Sequence, residues 1–290
     1  MMLTNNPSKN VGLVLEGGAM RGMFTAGVID VWLENGITFP EAAGVSAGAT
    51  FGGNLKSRQT GRVIRYNKRF CRDPRYGTFR SLLKTGDVFD AEFCWKILPN
   101  ELDKFDAETF ARDPMRFWVV ATDVENGEPV YHECAKGDSE DIQWFRASSS
   151  MPLVSKPVAL DGRLLVDGGV GDSIPLKFME SRGFEHNVLV LTQPRGFQKK
   201  QSGLWPLIRF VLRRHPGLVR AMRERPKAYN ETLAYVESRE AAGTAFVIRP
   251  PEPLGISHLC HDPEELQRVY DIGRQTANET LPALKKFIAG

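Results

Sequence analysis

What most restricts the fold of this chain is an alternation of short apolar, β-prone runs with stretches long enough to hold a helix. Val11 to Leu15, Trp118 to Ala121, Leu164 to Val166, Val188 to Leu191 and Ala245 to Ile248 are such runs. Runs of this length separated by helical segments predict an α/β fold, a three-layer α/β/α arrangement with a mostly parallel central sheet. The first run shows the unit best. Gly17 and Gly18 follow it at once, and then an apolar helical pattern through Phe24, Val28, Val31 and Trp32 stops at Gly36, which reads as strand, glycine turn and helix. At the far end Asp262 and Pro263 supply an N-cap and a first-turn proline. Leu266, Val269, Tyr270, Ala277, Leu281 and Leu284 then share one face, predicting a docked C-terminal helix over about 262 to 288 with a bend at Pro282.

The 290 residues exceed the ~200 to 250 of a large α/β domain only modestly. No internal repeat divides them, and the weak boundary is the loop Gln193 to Gly203. The reading is one domain over 1–290 with its motifs in 11–170. Hydrophobic residues at 42% and charged residues at 25% exclude global disorder. Cys71, Cys94, Cys134 and Cys260 lack any C-x-x-C spacing, which argues against a zinc site or disulfide framework and fits a reducing compartment. The opening MMLTNNPSKN is polar, and no apolar stretch approaches the ~18 residues of a membrane span. The expectation is a cytoplasmic protein.

Three motifs carry chemistry. Gly44-Val45-Ser46-Ala47-Gly48 is a G-x-S-x-G pattern, which on a strand-to-helix turn lifts a serine Oγ to where it can attack an ester. By itself it fits helix-packing glycines equally well. Glu16-Gly17-Gly18-Ala19-Met20-Arg21-Gly22 follows the first strand and opens its helix, so its backbone N–H groups can cradle a phosphate or the oxyanion of acyl transfer. A Rossmann fingerprint would need glycine at Ala19, and a P-loop would need Lys and Ser or Thr at Met23 and Phe24. Leu164-Leu165-Val166-Asp167-Gly168-Gly169 ends an apolar run on an acid, which can serve as a proton acceptor or simply cap a turn.

In this order the three motifs resemble those of the patatin-like phospholipase family, and most closely its bacterial, single-domain branch. The resemblance continues through Ala121-Thr122-Asp123 and Arg146-Ala147-Ser148-Ser149-Ser150-Met151-Pro152, over the first two thirds of the chain. It implies a patatin-like fold and a serine acyl hydrolase, a phospholipase A, lysophospholipase or lipid acyl esterase. Ser46 would be the nucleophile and Asp167 the acid of a Ser/Asp dyad, with oxyanion donors around Gly17, Gly18 and Ala19. Gly22, Gly44, Gly48, Gly168 and Gly169 would support the motifs, and Arg21 would brace the loop or meet the lipid phosphate. Two departures stand out, Glu16 for the commoner Asp and Ala19 for the third glycine; neither removes a backbone donor. An unperturbed aspartate, with a pKa of ~3.9, is a poor base for a serine, so the site must raise it by burial. The scheme calls for no metal and no cofactor. A Ser-His-Asp carboxylesterase remains the alternative, since His186, His215, His258 and His261 lie downstream of Asp167, although their neighbourhoods look bland. A catalytically silent lipid-binding protein is a third reading.

The net charge of +3 conceals two basic windows, +8 over Lys56 to Arg80 and +9 over Arg195 to Lys227, on a body of −14. Such asymmetry points to an anionic partner. Trp205, Leu207, Ile208 and Phe210 interleaved with Arg209, Arg213 and Arg214 suit a bilayer interface, and the first window reads the same way. Aromatics among cations also suit single-stranded nucleic acid, but that reading leaves the three motifs unexplained. The expected partner is therefore a phospholipid or other acyl-ester lipid, met at a peripheral membrane surface.

Overall fold

The computed structural model describes residues 10 to 289, so the polar opening segment lies, apart from Asn10, outside the described residues. Eight strands, β1 (Val11–Leu15), β2 (Glu41–Val45), β3 (Arg116–Asp123), β4 (Pro129–Cys134), β5 (Val158–Leu160), β6 (Arg163–Asp167), β7 (His186–Val190) and β8 (Ala245–Ile248), form one sheet. Its order is β5-β6-β3-β2-β1-β7-β8, with β4 on the opposite edge of β3. The contacts among β3, β2, β1, β7 and β8 are parallel, and those of β4, β5 and β6 antiparallel. The helices are α1 (Gly22–Glu34), α2 (Ala47–Lys56), α3 (Arg62–Phe70), α4 (Phe79–Thr85), α5 (Ala107–Arg112), α6 (Ser139–Ser148), α7 (Leu176–Ser181), α8 (Trp205–Val211), α9 (Pro216–Ala241) and α10 (Pro263–Ala289). A π-helical segment, Phe93–Leu102, lies between α4 and α5.

All five apolar runs are strands, as expected. Consecutive residues face opposite layers. Leu13, Leu15, Val188 and Val190 join the core shared with α1, α2 and α10, while Val14 and Leu189 join the core shared with α7 and α9. Burial on both faces explains why these strands read as unbroken apolar runs. The first helix ends at Asn35, and Gly36 takes the expected left-handed turn at φ 66. Strands β4 and β5 were not anticipated; β4 mixes polar with apolar residues at an edge, and β5 has three residues.

The C-terminal helix lies on the same core. Its helical pattern continues through Pro282 to Ala289. A Cβ on Gly27 would stand 2.2 Å from the Tyr270 carbonyl oxygen, and one on Gly273 would stand 2.1 Å from that of Phe24. The backbones of α1 and α10 therefore touch, and any side chain at either glycine would part them. Tyr270 donates to Asp30 at 2.6 Å, and Arg274 pairs with Glu34 at 2.7 Å, fixing the crossing.

The middle of the sheet has two strands on one edge of β3. Strand β2 pairs with β3 up to Val45 opposite Val120, and β6 takes over the same edge of β3 from Asp167 opposite Ala121. The two strands meet end to end. Residues 121 positions apart in sequence, Ser46 and Asp167, thus arrive at adjacent places on one strand.

Candidate active site

Ser46 follows β2 and opens α2 with φ 53 and ψ −120, a conformation that non-glycine residues hold only where the surroundings enforce it. The flanking glycines explain how it is enforced. A Cβ on Gly48 would stand 2.3 Å from the Leu15 carbonyl oxygen, and one on Gly44 would stand 2.6 Å from that of Gly48. The pattern therefore serves packing and exposure of the serine together. Ser46 donates its hydroxyl proton to Asp167 Oδ2 at 2.7 Å. Asp167 Oδ1 accepts the Gly169 N–H at 2.7 Å, leaving both carboxylate oxygens engaged and the residue 3% exposed.

The end of α6 clamps the pair. Ser148 Oγ accepts the Ser46 N–H at 2.8 Å and donates to the Val120 carbonyl, bridging the junction in the ladder where β2 stops and β6 begins. The Asp167 and Gly168 N–H groups donate to the Ser150 and Ser148 carbonyls at 2.8 and 3.2 Å. Thr122 Oγ1 donates to the Asp167 carbonyl at 2.8 Å and accepts the Gly171 N–H at 3.0 Å. Gly168 is required by closeness, since a Cβ there would stand 2.0 Å from the Val120 oxygen. The sequence stretches around Thr122 and Ser148 thus hold Ser46 and Asp167 in place.

Gly17 lies against the serine, a Cβ there falling 2.9 Å from Ser46 Cβ. Among the described residues, the N–H groups of Gly17, Gly18 and Ala19 donate to no protein acceptor. Ala19 keeps the loop's shape at φ 48, the left-handed region where glycine would be unstrained. Glu16 holds the loop from behind. Its Oε1 accepts the Tyr229 hydroxyl at 2.5 Å, and its Oε2 accepts the Thr192 N–H at 2.6 Å, while Thr192 Oγ1 also donates to the Gly17 carbonyl at 3.0 Å. Gly22 lets α1 start against α2, a Cβ there falling 2.8 Å from that of Ala47.

Burial raises the Asp167 pKa, opposed by Arg225 and by the hydrogen bonds from Ser46 and Gly169. The carboxylate is thereby a better proton acceptor than an exposed aspartate. Ser46 also lines a cavity of about 350 Å³. Tyr66, Phe89, Trp95, Leu98, Phe105 and Phe145 line it too, Trp95 and Leu98 from the unanticipated π-helical segment. Ser46 thus borders a largely apolar cavity, a lining that suits an acyl chain.

The histidines divide. His186 is exposed at the start of β7, His215 caps α9, and the His261 ring meets the Cys71 carbonyl at 2.6 Å. His258, whose sequence surroundings look bland, is instead in the cavity wall, where its Nε2 accepts from Arg21 Nη1 at 2.9 Å. Burial, followed by Arg21, Lys199 and Arg225, holds its pKa below the ordinary value. No described histidine hydrogen-bonds Ser46 or Asp167.

The first basic window corrects the sequence reading. Lys56 is buried and donates to the Asp113 and Met115 carbonyls, Arg62 is buried against the Asp103 carbonyl, and Arg58, Arg65 and Arg75 pair with Asp113, Asp103 and Asp73. These five cations are engaged within the fold, while Phe79, Arg72 and Arg80 of the same window stay exposed. The second window splits. On α8, Leu204, Leu207, Phe210 and Val211 are exposed beside Arg209, Arg213 and Arg214, while Trp205, expected at that face, is half-buried. Lys199 and Arg225 turn inward to the dyad. The described residues also bring His132, Cys134 and Asp141 together, but Asp141 Oδ2 is taken by the N–H groups of Lys136 and Gly137, and burial keeps the Cys134 thiol protonated. This grouping is a turn brace. No helix of the described chain is long and apolar enough to cross a membrane.

Residues 13–179 match the family model described as Patatin-like phospholipase, and residues 215–289 match one described as Domain of unknown function (DUF6363). Uncharacterized protein YjjU of Escherichia coli (strain K12) is 25% identical over 295 residues, 96% of this chain and 79% of that protein. Lysophospholipase nte1 of Aspergillus terreus is 26% identical over 96% of this chain, and Lysophospholipase NTE1 of Scheffersomyces stipitis is 24% identical over 95%. The chain spans 18% of the length of either fungal protein. The solved structure of VipD from Legionella pneumophila aligns with 95% of this chain and 67% of its own at a TM-score of 0.47 and 14% identity, too loose a likeness to bear on the site.

Proposed function

The chain belongs to the patatin-like phospholipase family, and from that premise we propose that it is a serine hydrolase of lipid acyl esters working through a Ser46/Asp167 dyad. The observation that carries this reading is the 2.7 Å hydrogen bond from Ser46 Oγ to a buried Asp167, beside an apolar cavity of about 350 Å³. Ser46 Oγ attacks the ester carbonyl carbon as its proton passes to Asp167. The oxyanion is received by the free N–H groups of Gly17, Gly18 and Ala19, each such donor contributing ~2.7 to 4 kcal/mol to transition-state stabilisation. Collapse expels the alcohol, which takes the proton from Asp167, and leaves an acyl-serine. Water then repeats the sequence, giving its proton to Asp167 and releasing the acid.

A neutral His258 already accepting from Arg21 is not free to serve as the base of a triad, which favours the dyad over the Ser-His-Asp alternative. The whole chain belongs to one such domain in this reading, because Tyr229 of α9 secures Glu16 and α10 rests on α1. The exposed apolar and cationic face of α8 is the part suited to a lipid surface.

Hydrolysis of p-nitrophenyl octanoate by wild type, Ser46→Ala, Asp167→Ala and a His258/His261 double alanine tests this. Losses of roughly 10³-fold or more are expected for the first two variants, with the histidine variant far less affected. Retention of activity in Ser46→Ala or Asp167→Ala would refute the dyad, and a loss in the histidine variant equal to theirs would favour a triad.

A further inference from the structure

The hydrolase reading uses the dyad, the amide donors and the cavity, and leaves unexplained three cations gathered at the dyad without carboxylate partners. Arg225, on α9, brings its Nη2 to 3.1 Å from where a Cβ on Gly169 would be, two residues from Asp167, and its Nε is buried with no hydrogen-bond partner. Arg21 spends Nη1 on His258, and its Nε is also buried and unpartnered. Lys199 stands over the Tyr229 ring, its Nζ 4.2 Å from the centroid, where burial and then Arg225 lower its pKa to about 8. None of the three is within 4.0 Å of a carboxylate among the described residues, whereas Arg58, Arg62, Arg65 and Arg75 of the first basic window each are. The two buried acids nearby are already engaged, Glu16 by Tyr229 and Thr192 and Asp167 by Ser46 and Gly169.

The three side chains are half-buried, and cationic groups partly withdrawn from water without an acidic partner cost stability unless a ligand completes them. Arg21, Lys199 and Arg225 line none of the apolar cavity, which Ser46 does line. An ester seated with its acyl chain in the cavity would therefore present its alcohol half toward the cations. Three positive charges against two negative ones attract a phosphate and repel an ammonium group such as choline.

We propose that Arg21, Lys199 and Arg225 form a headgroup subsite that selects acyl esters whose alcohol half bears a phosphate without a compensating ammonium, over zwitterionic phospholipids. This deepens the hydrolase reading and rests on it for the direction in which the substrate lies.

The test compares kcat/KM on 1-lauroyl-lysophosphatidate and 1-lauroyl-lysophosphatidylcholine for wild type, Lys199→Gln, Arg225→Gln and the charge-keeping Lys199→Arg. The anionic substrate should be preferred by more than about 10-fold in wild type, that ratio should fall about 10-fold or more in each Gln variant, as for one charged hydrogen bond lost, and Lys199→Arg should retain most of it. A wild-type ratio near one, or a ratio the Gln variants leave in place, overturns the subsite. A second arm does not depend on turnover: calorimetric binding of dodecyl phosphate, dodecylphosphocholine and inorganic phosphate, below micelle formation, to Ser46→Ala protein. Dodecyl phosphate should bind at least about 10-fold tighter than either of the others. Inorganic phosphate binding equally well would mean a site for free phosphate and refute the headgroup assignment. If neither lysolipid nor p-nitrophenyl octanoate is cleaved while dodecyl phosphate still binds selectively, the hydrolase reading fails and the anion subsite stands.

Discussion

Replacing Ser148 with alanine should cost more than its lone hydroxyl suggests. Ser148 is fully buried, and its Oγ does two things at once, accepting the Ser46 N–H and donating to the Val120 carbonyl. It bridges the junction on the edge of β3 where pairing passes from β2 to β6. Alanine leaves both backbone groups buried without that partner, at roughly 1 to 3 kcal/mol apiece, or about 2 to 6 kcal/mol together. Stability shifts of that size move the midpoint of thermal unfolding by roughly 3 to 10 °C in a chain of this length. The same bond helps hold Ser46 at φ 53, a strained setting that relaxes readily once a restraint is removed. A misplaced nucleophile lowers the rate more than it weakens binding, so kcat should fall about 10- to 100-fold with KM nearly constant. Urea unfolding and ester kinetics on Ser148→Ala check both parts. Ser150→Ala is the control, because its hydroxyl donates only to the Arg146 carbonyl in the last turn of the preceding helix. If Ser148→Ala destabilises by less than about 0.5 kcal/mol, or no more than the control, the ladder-junction argument is wrong.

Other outcomes follow from the same geometry. Along a series of p-nitrophenyl esters from butanoate to octanoate, kcat/KM should rise about fourfold per methylene, at ~0.8 kcal/mol for each group moved into the cavity; a flat series would mean the chain does not enter it. In the proposed mechanism the Asp167 carboxylate takes the serine proton, and burial raises its pKa above the ordinary 3.8, so kcat should be lost as pH falls through that raised value, with the acid limb absent from any residual activity of Asp167→Asn. The linkage has the opposite sense for stability. A raised folded pKa stabilises below 3.8, and that contribution is lost as pH rises through the folded value, so thermal unfolding should show Asp167→Asn gaining on wild type across that window. Lys199 loses its charge as pH passes about 8, with Arg225, Arg21, Glu16 and Asp167 as the charged groups around it; the preference for anionic lysolipid should therefore shrink between pH 7 and 9, and a constant ratio would remove Lys199 from the subsite. Gly168→Ala should yield little folded protein by circular dichroism, since its methyl would fall 2.0 Å from the Val120 carbonyl oxygen.

The sequence by itself determined the layers and the order of the reactive groups. Strands buried on both faces must be apolar throughout, and tight strand-to-helix turns must use glycine, so β1, β3, β6, β7 and β8 and the motifs at Gly17, Ser46 and Asp167 were legible as local patterns. Edge strands β4 and β5 were not, because a half-exposed or three-residue strand carries no such mark. Only the tertiary structure decided what those groups meet. That Val45 and Asp167 lie opposite adjacent residues of β3 is a matter of register between distant segments, and no local pattern encodes it. The basic windows show the same limit from the other side. Lys56 and Arg62 looked like surface cations and are buried against backbone carbonyls, whereas Lys199 and Arg225, drawn from a window read as membrane-facing, stand at the dyad. Charge is written in the sequence one residue at a time, but the field at a site is a sum over distances, and folding sets the distances.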